Sequence, residues 1–244
     1  MNLIIDIGNT RIKAAIFENN ELLQFIVFTT TAELLQSALF TDYAISHCII
    51  GSVVNNIDAF IDQLKQCVKV LLFTHETPIP IKNSYQSAHT LGSDRLAGAI
   101  GGNFLFPNQN LLIIDAGTCI KYNFVNNKNE YIGGAISAGL NMRFKAVHTF
   151  TSRLPLLKVD EKFNALIGTT SDESIRSGAQ EGAVAEIDGF INQYQQSYPD
   201  IKVLITGGDV NFFEKRLKNP IFADSFLILK GLNTILAYNF KKKF

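Results

Sequence analysis

The chain contains no tryptophan, only three cysteines and no excess of either charge. Lys and Arg together number 22, and Asp and Glu together also number 22. A chain without net charge has no broad electrostatic attraction for nucleic acid or for an anionic membrane, so we expect neither as a partner. Cys48, Cys67 and Cys119 are too widely spaced for a disulfide framework or a cysteine metal site. Unpaired thiols are typical of a reducing compartment, and we therefore expect a cytoplasmic protein.

Long apolar runs are missing as well. No apolar segment is long enough to cross a bilayer. The first residues, Met1 to Asp6, lack a basic lead and soon reach an acid, so we do not expect a signal peptide. Hydrophobic residues still make up 47% of the 244 residues, which is enough to bury a sizeable core. The 19 phenylalanines are expected to fill that core and a subunit contact.

An internal repetition is the most informative pattern. Residues 3–10 read LIIDIGNT, and residues 112–118 read LIIDAGT. Each copy is a short apolar run followed by Asp-x-Gly and a hydroxyl residue, and each is followed by two more strand-like runs. The pattern predicts a β-meander with an acidic residue at its first turn. Its occurrence twice, roughly half a chain apart, predicts two similar halves.

The remaining segments alternate between strand and helix patterns, which predicts an α/β fold. Strands are predicted over 48–54, 68–73 and 203–206, and helices over 33–40, 57–67, 96–104, 171–197 (as one helix or two) and 226–240. The basic run 241–243 is expected to be a solvated helix end and not a binding tail.

The Asp-x-Gly turns have the chemistry of phosphate sites. Gly8 permits close approach of the backbone to a ligand, and Asn9, Thr10 and nearby N–H groups can donate to phosphate oxygens. A third glycine-rich turn, residues 206–209, also follows an apolar strand. Taken alone, an Asp-x-Gly turn also fits an ordinary hairpin, because Asp, Gly and Asn are common in turns, and residues 206–209 also fit a plain strand-to-helix connection.

Together the three turns resemble the phosphate-1, phosphate-2 and adenosine motifs of the superfamily that contains actin, the heat-shock 70 chaperones and the sugar kinases. The resemblance implies two ribonuclease-H-like domains, residues 1–110 and 111–244, with ATP in a cleft between them. At 244 residues the chain is too short for the usual actin or chaperone plan.

A further motif lies between the two Asp-x-Gly turns. Residues 91–96 read LGSDRL and follow Tyr85, and this segment resembles the Tyr-to-Gly-x-Asp-Arg segment of the type III pantothenate kinases. Other stretches fit the family in the expected order: 51–54, 133–136, 137–140, 154–155 and 175–178. The resemblance implies phosphorylation of pantothenate by ATP to give 4′-phosphopantothenate, the first step of coenzyme A synthesis. It also implies a homodimer with the pantothenate pocket near the subunit interface.

The resemblance assigns a role to each motif residue. Asp94 would be the base that accepts a proton from the pantothenate hydroxyl. Asp115 would bind a monovalent cation, K⁺ or NH₄⁺, and Asp6 would bind Mg²⁺. The substrate-binding residues would be Tyr85, Gly92, Ser93, Asp94, Arg95 and Ser171. The ATP-binding residues would be Asp6, Gly8, Asn9, Thr10, Arg11, Lys13 and Thr118.

Some departures from the family pattern and some alternative interpretations stay open. Lys121 and Asn123 stand where the family commonly has Thr and Asp, so that Lys121 could partly replace a bound cation. Asp94 and Arg95, read in isolation, fit a salt bridge at a helix start. The alternative functions are a kinase for another small acceptor, and a non-enzymatic ATP-binding regulatory or scaffold protein on the same fold.

Overall fold

The computed structural model describes residues 1–54 and 56–240, which form two packing units. The first unit contains residues 1–108, 128–132 and the described residues from 226 onward, and the second contains 109–127 and 133–225. Each unit has its own hydrophobic core. The basic run 241–243 lies outside the described residues. Among the helices within the described ranges, none combines the length and apolar character that a bilayer crossing requires.

The described strands and helices alternate along the chain. The strands are β1 Asn2–Ile7, β2 Ile12–Glu18, β3 Glu21–Phe28, β4 His47–Ser52, β5 Lys69–Leu72, β6 Lys82–Asn83, β7 Leu111–Ala116, β8 Cys119–Val125, β9 Glu130–Ala138, β10 Lys202–Thr206 and β11 Phe222–Ala223. The α-helices are α1 Thr31–Leu35, α2 Leu39–Asp42, α3 Asp58–Lys65, α4 Ser93–Leu105, α5 Leu140–Thr149, α6 Ser171–Arg176, α7 Gly182–Ser197, α8 Val210–Glu214 and α9 Leu227–Asn239.

The sheet of the first unit has the order β3-β2-β1-β4-β5. β1, β2 and β3 form an antiparallel meander, while β4 lies parallel to β1 and β5 parallel to β4. All six residues of β1 are buried, because an apolar strand in the middle of a sheet is covered on both faces. This arrangement places Asp6 near the end of a fully buried strand.

The second sheet repeats this order. Its strands run β11-β10-β7-β8-β9-β6, so that β9, β8, β7, β10 and β11 correspond in sequence to β3, β2, β1, β4 and β5. β7 pairs antiparallel with β8 and parallel with β10, as β1 does with β2 and β4. The predicted duplication of the Asp-x-Gly meander is therefore confirmed, and Asp115 occupies in β7 the place that Asp6 occupies in β1.

Two of the predicted helices have different bounds in the structure, and the helix predicted over 171–197 is confirmed. The helix expected over 33–40 is divided into two short helices: α1 ends at Leu35, and α2 begins at Leu39. Helix α4 begins at Ser93 and not at Leu96, so Asp94 and Arg95 lie in its first turn. The 171–197 segment is one continuous helical stretch in which a π-helical segment, Ser177–Glu181, joins α6 to α7.

The division of the chain at residue 110 stays a prediction. By sequence it assigns α9 to the C-terminal half, whereas α9 packs against α4, β1 and β4 within the first unit. The apolar face of α9 needs a partner surface, and the first sheet provides it.

Candidate active site

The β1–β2 turn presents the first group of predicted ATP-binding residues. Asp6 is 7% exposed, and the turn that follows is closed by a hydrogen bond of 3.0 Å from the Gly8 amide to the Arg11 carbonyl. Asn9, Thr10 and Arg11 are exposed at its tip. Lys13 lies directly opposite Asp6 in the antiparallel register and is half-buried. The hairpin therefore brings this group of predicted residues together, with donors at the surface and the carboxylate beneath them.

The predicted substrate loop is anchored beside the same end of the first sheet. Gly51 of β4 lies opposite Asp6 in the parallel register, and the next residue, Ser52, accepts a hydrogen bond of 2.9 Å from the Ser93 hydroxyl. Asp94 is half-buried in the first turn of α4, and its Oδ1 accepts a hydrogen bond of 2.8 Å from the Arg95 amide. A carboxylate at this end of a helix is favoured by the helix dipole.

The Arg95 side chain is buried and packs against Tyr85. It is 6% exposed, and its guanidinium carbon lies 5.6 Å from the centre of the Tyr85 ring. Tyr85 in turn lies 6.0 Å from the ring of Tyr131, and its amide donates to Asn83 Oδ1 at 3.0 Å. A guanidinium over an aromatic ring gains a cation–π attraction. Arg95 thus fixes the loop that carries Tyr85 against the start of α4.

A cavity of about 280 Å³ opens beside the start of α4 in the first unit. Its polar lining includes Gly92 and Ser93 from the predicted substrate segment, together with His75 and His89. Its apolar lining comes from side chains such as Leu91 and Leu96. The volume is near the lower end of small-molecule sites, and the mixture of apolar walls with a few polar groups is typical of them. Nothing in the sequence pattern connected His75 with His89.

The second unit holds Asp115, which is 8% exposed, near the end of β7. Lys121 lies opposite Asp115 in the register of β7 and β8, and its Nζ is 2.8 Å from Asp115 Oδ2. Thr118 is exposed at the tip of the intervening turn, where the Gly117 amide donates to the Cys119 carbonyl at 3.0 Å. The carboxylate predicted to bind a monovalent cation therefore already has an ammonium partner.

The glycine-rich turn after β10 packs closely on this hairpin. Gly207 has φ +104°, and a Cβ there would lie 2.2 Å from the Ala116 carbonyl oxygen and 2.7 Å from Asp115 Oδ1. The Asp209 amide donates to the same Ala116 carbonyl at 3.0 Å. Burial, together with the nearby charge of Asp115, raises the pKa of Asp209 to about 6. The turn thus gathers two carboxylates and one ammonium group near Thr118.

A polar network on Glu186 was missed by the sequence reading. The Glu186 carboxylate accepts hydrogen bonds from Ser137, from Arg143 and, at 3.0 Å, from the hydroxyl of Tyr122. Burial raises the pKa of Glu186, but these hydrogen bonds outweigh burial and leave that pKa below its usual value. One sequence feature could have indicated this network: Glu186 lies three residues after the buried Ala183, on a helix face that is otherwise apolar.

This network supports the second Asp-x-Gly turn. Arg143 Nε donates to the Ala138 carbonyl at 2.8 Å, which holds the junction between β9 and α5. At this junction the Gly139 amide donates to the Thr118 carbonyl at 3.2 Å. A Cβ at position 139 would lie 2.0 Å from the Gly117 carbonyl oxygen. The second Asp-x-Gly turn is therefore packed against a junction that Glu186 and Arg143 stabilise.

Ser171 lies in another cavity, which belongs to the second unit. The cavity has a volume of about 680 Å³ and is lined mainly by apolar groups, including Val147, Leu154 and Ile175, with Arg143 and Ser171 among its polar members. Ser171 is exposed at the first position of α6, after the cap residue Thr170. The predicted substrate-binding residues are thus divided: Tyr85 and 92–95 gather in the first unit, and Ser171 stands in the second.

A sequence model described as type III pantothenate kinase matches residues 2–193. The chain belongs to the type III pantothenate kinase family. A type III pantothenate kinase of Phocaeicola vulgatus is 42% identical over 99% of this chain and 100% of its own length. One of Flavobacterium johnsoniae is 42% identical over 98% of each chain. The predicted family and the predicted enzyme class are confirmed.

Solved structures extend the likeness to the fold. A chain from Campylobacter jejuni, described as a Baf family transcriptional activator, has a TM-score of 0.64 at 18% identity and covers 98% of this kinase and 99% of itself. A ROK family glucokinase from Streptomyces griseus has a TM-score of 0.51 at 12% identity over 98% and 99% of the two chains. At such identities the likeness concerns the fold alone, and the predicted α/β fold of the actin-like ATPase and sugar-kinase class is confirmed.

Asp6 and Asp94 belong to the first unit and Asp115 to the second. Their convergence on one cleft stays a prediction, as do the individual roles of the motif residues. The site residues that the motifs named are nevertheless concentrated at the two Asp-x-Gly hairpins and at the start of α4.

Proposed function

We propose that the chain transfers the terminal phosphoryl group of ATP to the hydroxyl of pantothenate, with Asp94 as the base that receives the hydroxyl proton. The product, 4′-phosphopantothenate, is the first intermediate of coenzyme A synthesis. The observation that carries the assignment of the site is the start of α4, where Asp94 stands beside the cavity lined by Gly92 and Ser93.

The chemistry of phosphoryl transfer fits this arrangement. The reaction needs positioning and neutralisation of charge more than covalent catalysis. A carboxylate next to the acceptor hydroxyl can orient it and take its proton as the new bond forms. Gly92, Ser93 and Tyr85 would contact pantothenate directly. The burial of Arg95 supports a role for this side chain in holding the loop. Ser171 would add a contact to pantothenate from the second unit.

ATP would lie against the exposed tips of the two hairpins. Asn9, Thr10, Arg11 and Thr118 can donate hydrogen bonds or positive charge to phosphate oxygens, and Gly8 permits close approach of the backbone. Lys13 adds a cation opposite Asp6.

Mg²⁺ would be held through Asp6, and when bound it neutralises charge on the phosphates. The donor set fits, because Mg²⁺ in kinases takes one or two carboxylates and completes its shell with phosphate oxygens and water.

A homodimer is the proposed assembly. Three large apolar side chains of the second unit are at least four-fifths exposed: Phe150 at 84%, Leu166 at 80% and Ile167 at 80%. An apolar patch built from such side chains would fit a contact with a second subunit. Cytoplasmic location is proposed from the cysteines, since Cys48, Cys67 and Cys119 are all free thiols.

The decisive experiment measures ADP formation with Mg²⁺ and ATP in the presence and absence of pantothenate. Turnover should require pantothenate, and 4′-deoxypantothenate, which lacks the acceptor hydroxyl, should compete without being phosphorylated. A panel of sugars and small hydroxy acids tests the alternative of another acceptor. Nucleotide binding without turnover on any acceptor would favour the scaffold alternative and overturn the proposal.

A further inference from the structure

We infer that Lys121 supplies, as a covalently attached ammonium group, the positive charge that a free K⁺ or NH₄⁺ would provide at Asp115. The inference rests on the proposed kinase function and concerns its ion requirement. Turnover of this chain should then be independent of added monovalent cations. The resemblance to the family implied a free cation at Asp115, and the residues present do not fit that expectation.

The ion pair follows from the register of the second hairpin. Asp115 and Lys121 are directly opposite each other on β7 and β8, and the side chains on such a pair lie on the same face of the sheet. The Nζ to Oδ2 distance is 2.8 Å, which is the distance of a charge-assisted hydrogen bond. The two side chains are 21% and 12% exposed for Lys121 and Asp115 respectively, so water screens the pair only in part.

The second oxygen of the Asp115 carboxylate, Oδ1, lies beside the turn that follows β10. Oδ1 is close to this glycine-rich turn, since a Cβ added at Gly207 would lie 2.7 Å from it. A free cation would have to displace the Lys121 ammonium to reach Oδ2. Displacement is unfavourable, because a tethered group gives up less translational freedom on binding than a free ion does.

The ammonium group is chemically suited to the role. NH₄⁺ and K⁺ are similar in size and charge, and a primary ammonium keeps three N–H donors on the same centre. Without a countercharge, Asp115 and its neighbour Asp209 would repel an incoming polyphosphate at the Thr118 turn. Lys121 offsets one of these two negative charges, so a positive group here lowers the electrostatic cost of binding ATP.

The test compares wild type with Lys121→Ala in the pantothenate-dependent ADP assay. KCl, NH₄Cl and methylammonium chloride replace choline chloride at constant ionic strength, since choline is too large for such a site. Wild-type turnover should change by less than about twofold, the size of a weak surface-ion effect. In choline chloride, the turnover of Lys121→Ala should be about 100-fold lower than that of wild type, which is the usual cost of losing one electrostatic stabiliser. Each of the small cations should restore this turnover. Lys162→Ala, an exposed lysine of the same unit, is the control and should behave as wild type.

A second readout does not depend on turnover. Replacing choline by K⁺ should raise the melting temperature of Lys121→Ala, because the ion binds the folded state, and should leave that of wild type unchanged. If Lys121→Ala does not fold, Lys121→Arg keeps the charge and should remain independent of K⁺.

Two results would overturn the inference: wild-type turnover that rises several-fold with K⁺ or NH₄⁺, or a folded Lys121→Ala that is fully active in choline. Failure of the kinase assignment looks different, because wild type would then show no pantothenate-dependent turnover with any ion.

Discussion

Gly231 of α9 lies directly against the carbonyl oxygen of Ala97 in α4. A Cβ at position 231 would be 1.8 Å from that oxygen, and a Cβ at Gly101 would be 2.3 Å from the carbonyl oxygen of Leu227. The two helices therefore pack backbone against backbone at this point. Because α4 begins with the segment that carries Asp94, the contact supports the scaffold of the proposed base.

Gly231→Ala should destabilise the protein by about 3 kcal/mol or more, because the new methyl group has rigid backbone as its neighbour. Urea unfolding followed by circular dichroism measures the change. Gly189→Ala in α7 is the matched control, since nothing lies within 4 Å of its added Cβ. It should be neutral or stabilise by about 0.5–1 kcal/mol, the helix-propensity difference. Equal effects of the two substitutions would contradict the packing argument.

Asp94→Asn should lower kcat by about 100-fold or more, because the amide cannot accept the hydroxyl proton. ATP affinity, measured by calorimetry, should stay close to that of wild type, since Asp94 is not among the proposed phosphate ligands. Asp58→Asn is the control: Asp58 is an exposed acid in the first turn of α3 in the same unit. A variant at position 94 with wild-type kcat would remove Asp94 from its proposed role.

Asp209→Asn should stabilise the protein above about pH 7, since it removes a buried negative charge near Asp115. The pKa of Asp209 is raised from 3.8 to about 6. The folded state then binds the proton more tightly than the unfolded state, so the Asp209 contribution falls as pH rises from about 4 to 6. We expect a gain of about 1 kcal/mol at neutral pH, discounted for partial solvent screening.

Urea unfolding of this variant at a series of pH values tests that sign. The gain over wild type should shrink as pH falls through 6 toward 4, because wild-type Asp209 then becomes protonated. Asp200→Asn, at an exposed position of the same unit, serves as the control. A gain that stays constant with pH would show that charge is not its cause.

Glu186→Gln should cost about 1–3 kcal/mol of stability, because the amide group cannot accept from all three donors that converge on the carboxylate. Denaturant unfolding gives the value, with the exposed Glu161→Gln as control. A double-mutant cycle with Arg143→Gln should give a coupling of about 0.5–3 kcal/mol, the range for residues that share a hydrogen-bond network. Strictly additive effects would show that Arg143 and Glu186 act independently.

The repeated hairpins were predictable because their signals are local. An apolar run followed by Asp-x-Gly predicts a buried strand and a tight turn, and both β1 and β7 have that form. The ordered motifs also predicted the family that the comparisons show. The start of α4 was predicted three residues late, because Ser93, Asp94 and Arg95 carry no apolar periodicity even though an acid suits a first helical turn.

Contacts between distant segments could not be predicted in this way. The Glu186 network joins β8, β9, α5 and α7, and the cavity that contains His75 and His89 joins residues from several loops. Sequence spacing carries no information on such contacts, since they depend on how the elements pack.

The sequence by itself determined the α/β class, the duplicated hairpins and the family, because strand alternation, glycine at turns and motif order are properties of neighbouring residues. Only the tertiary structure decided what surrounds each functional group. It set Lys121 opposite Asp115 through the register of two strands and brought Gly207 and Asp209 to the same turn through the parallel pairing of β7 with β10. Charge and burial at a site depend on these distant partners, and they exist only once the chain has folded.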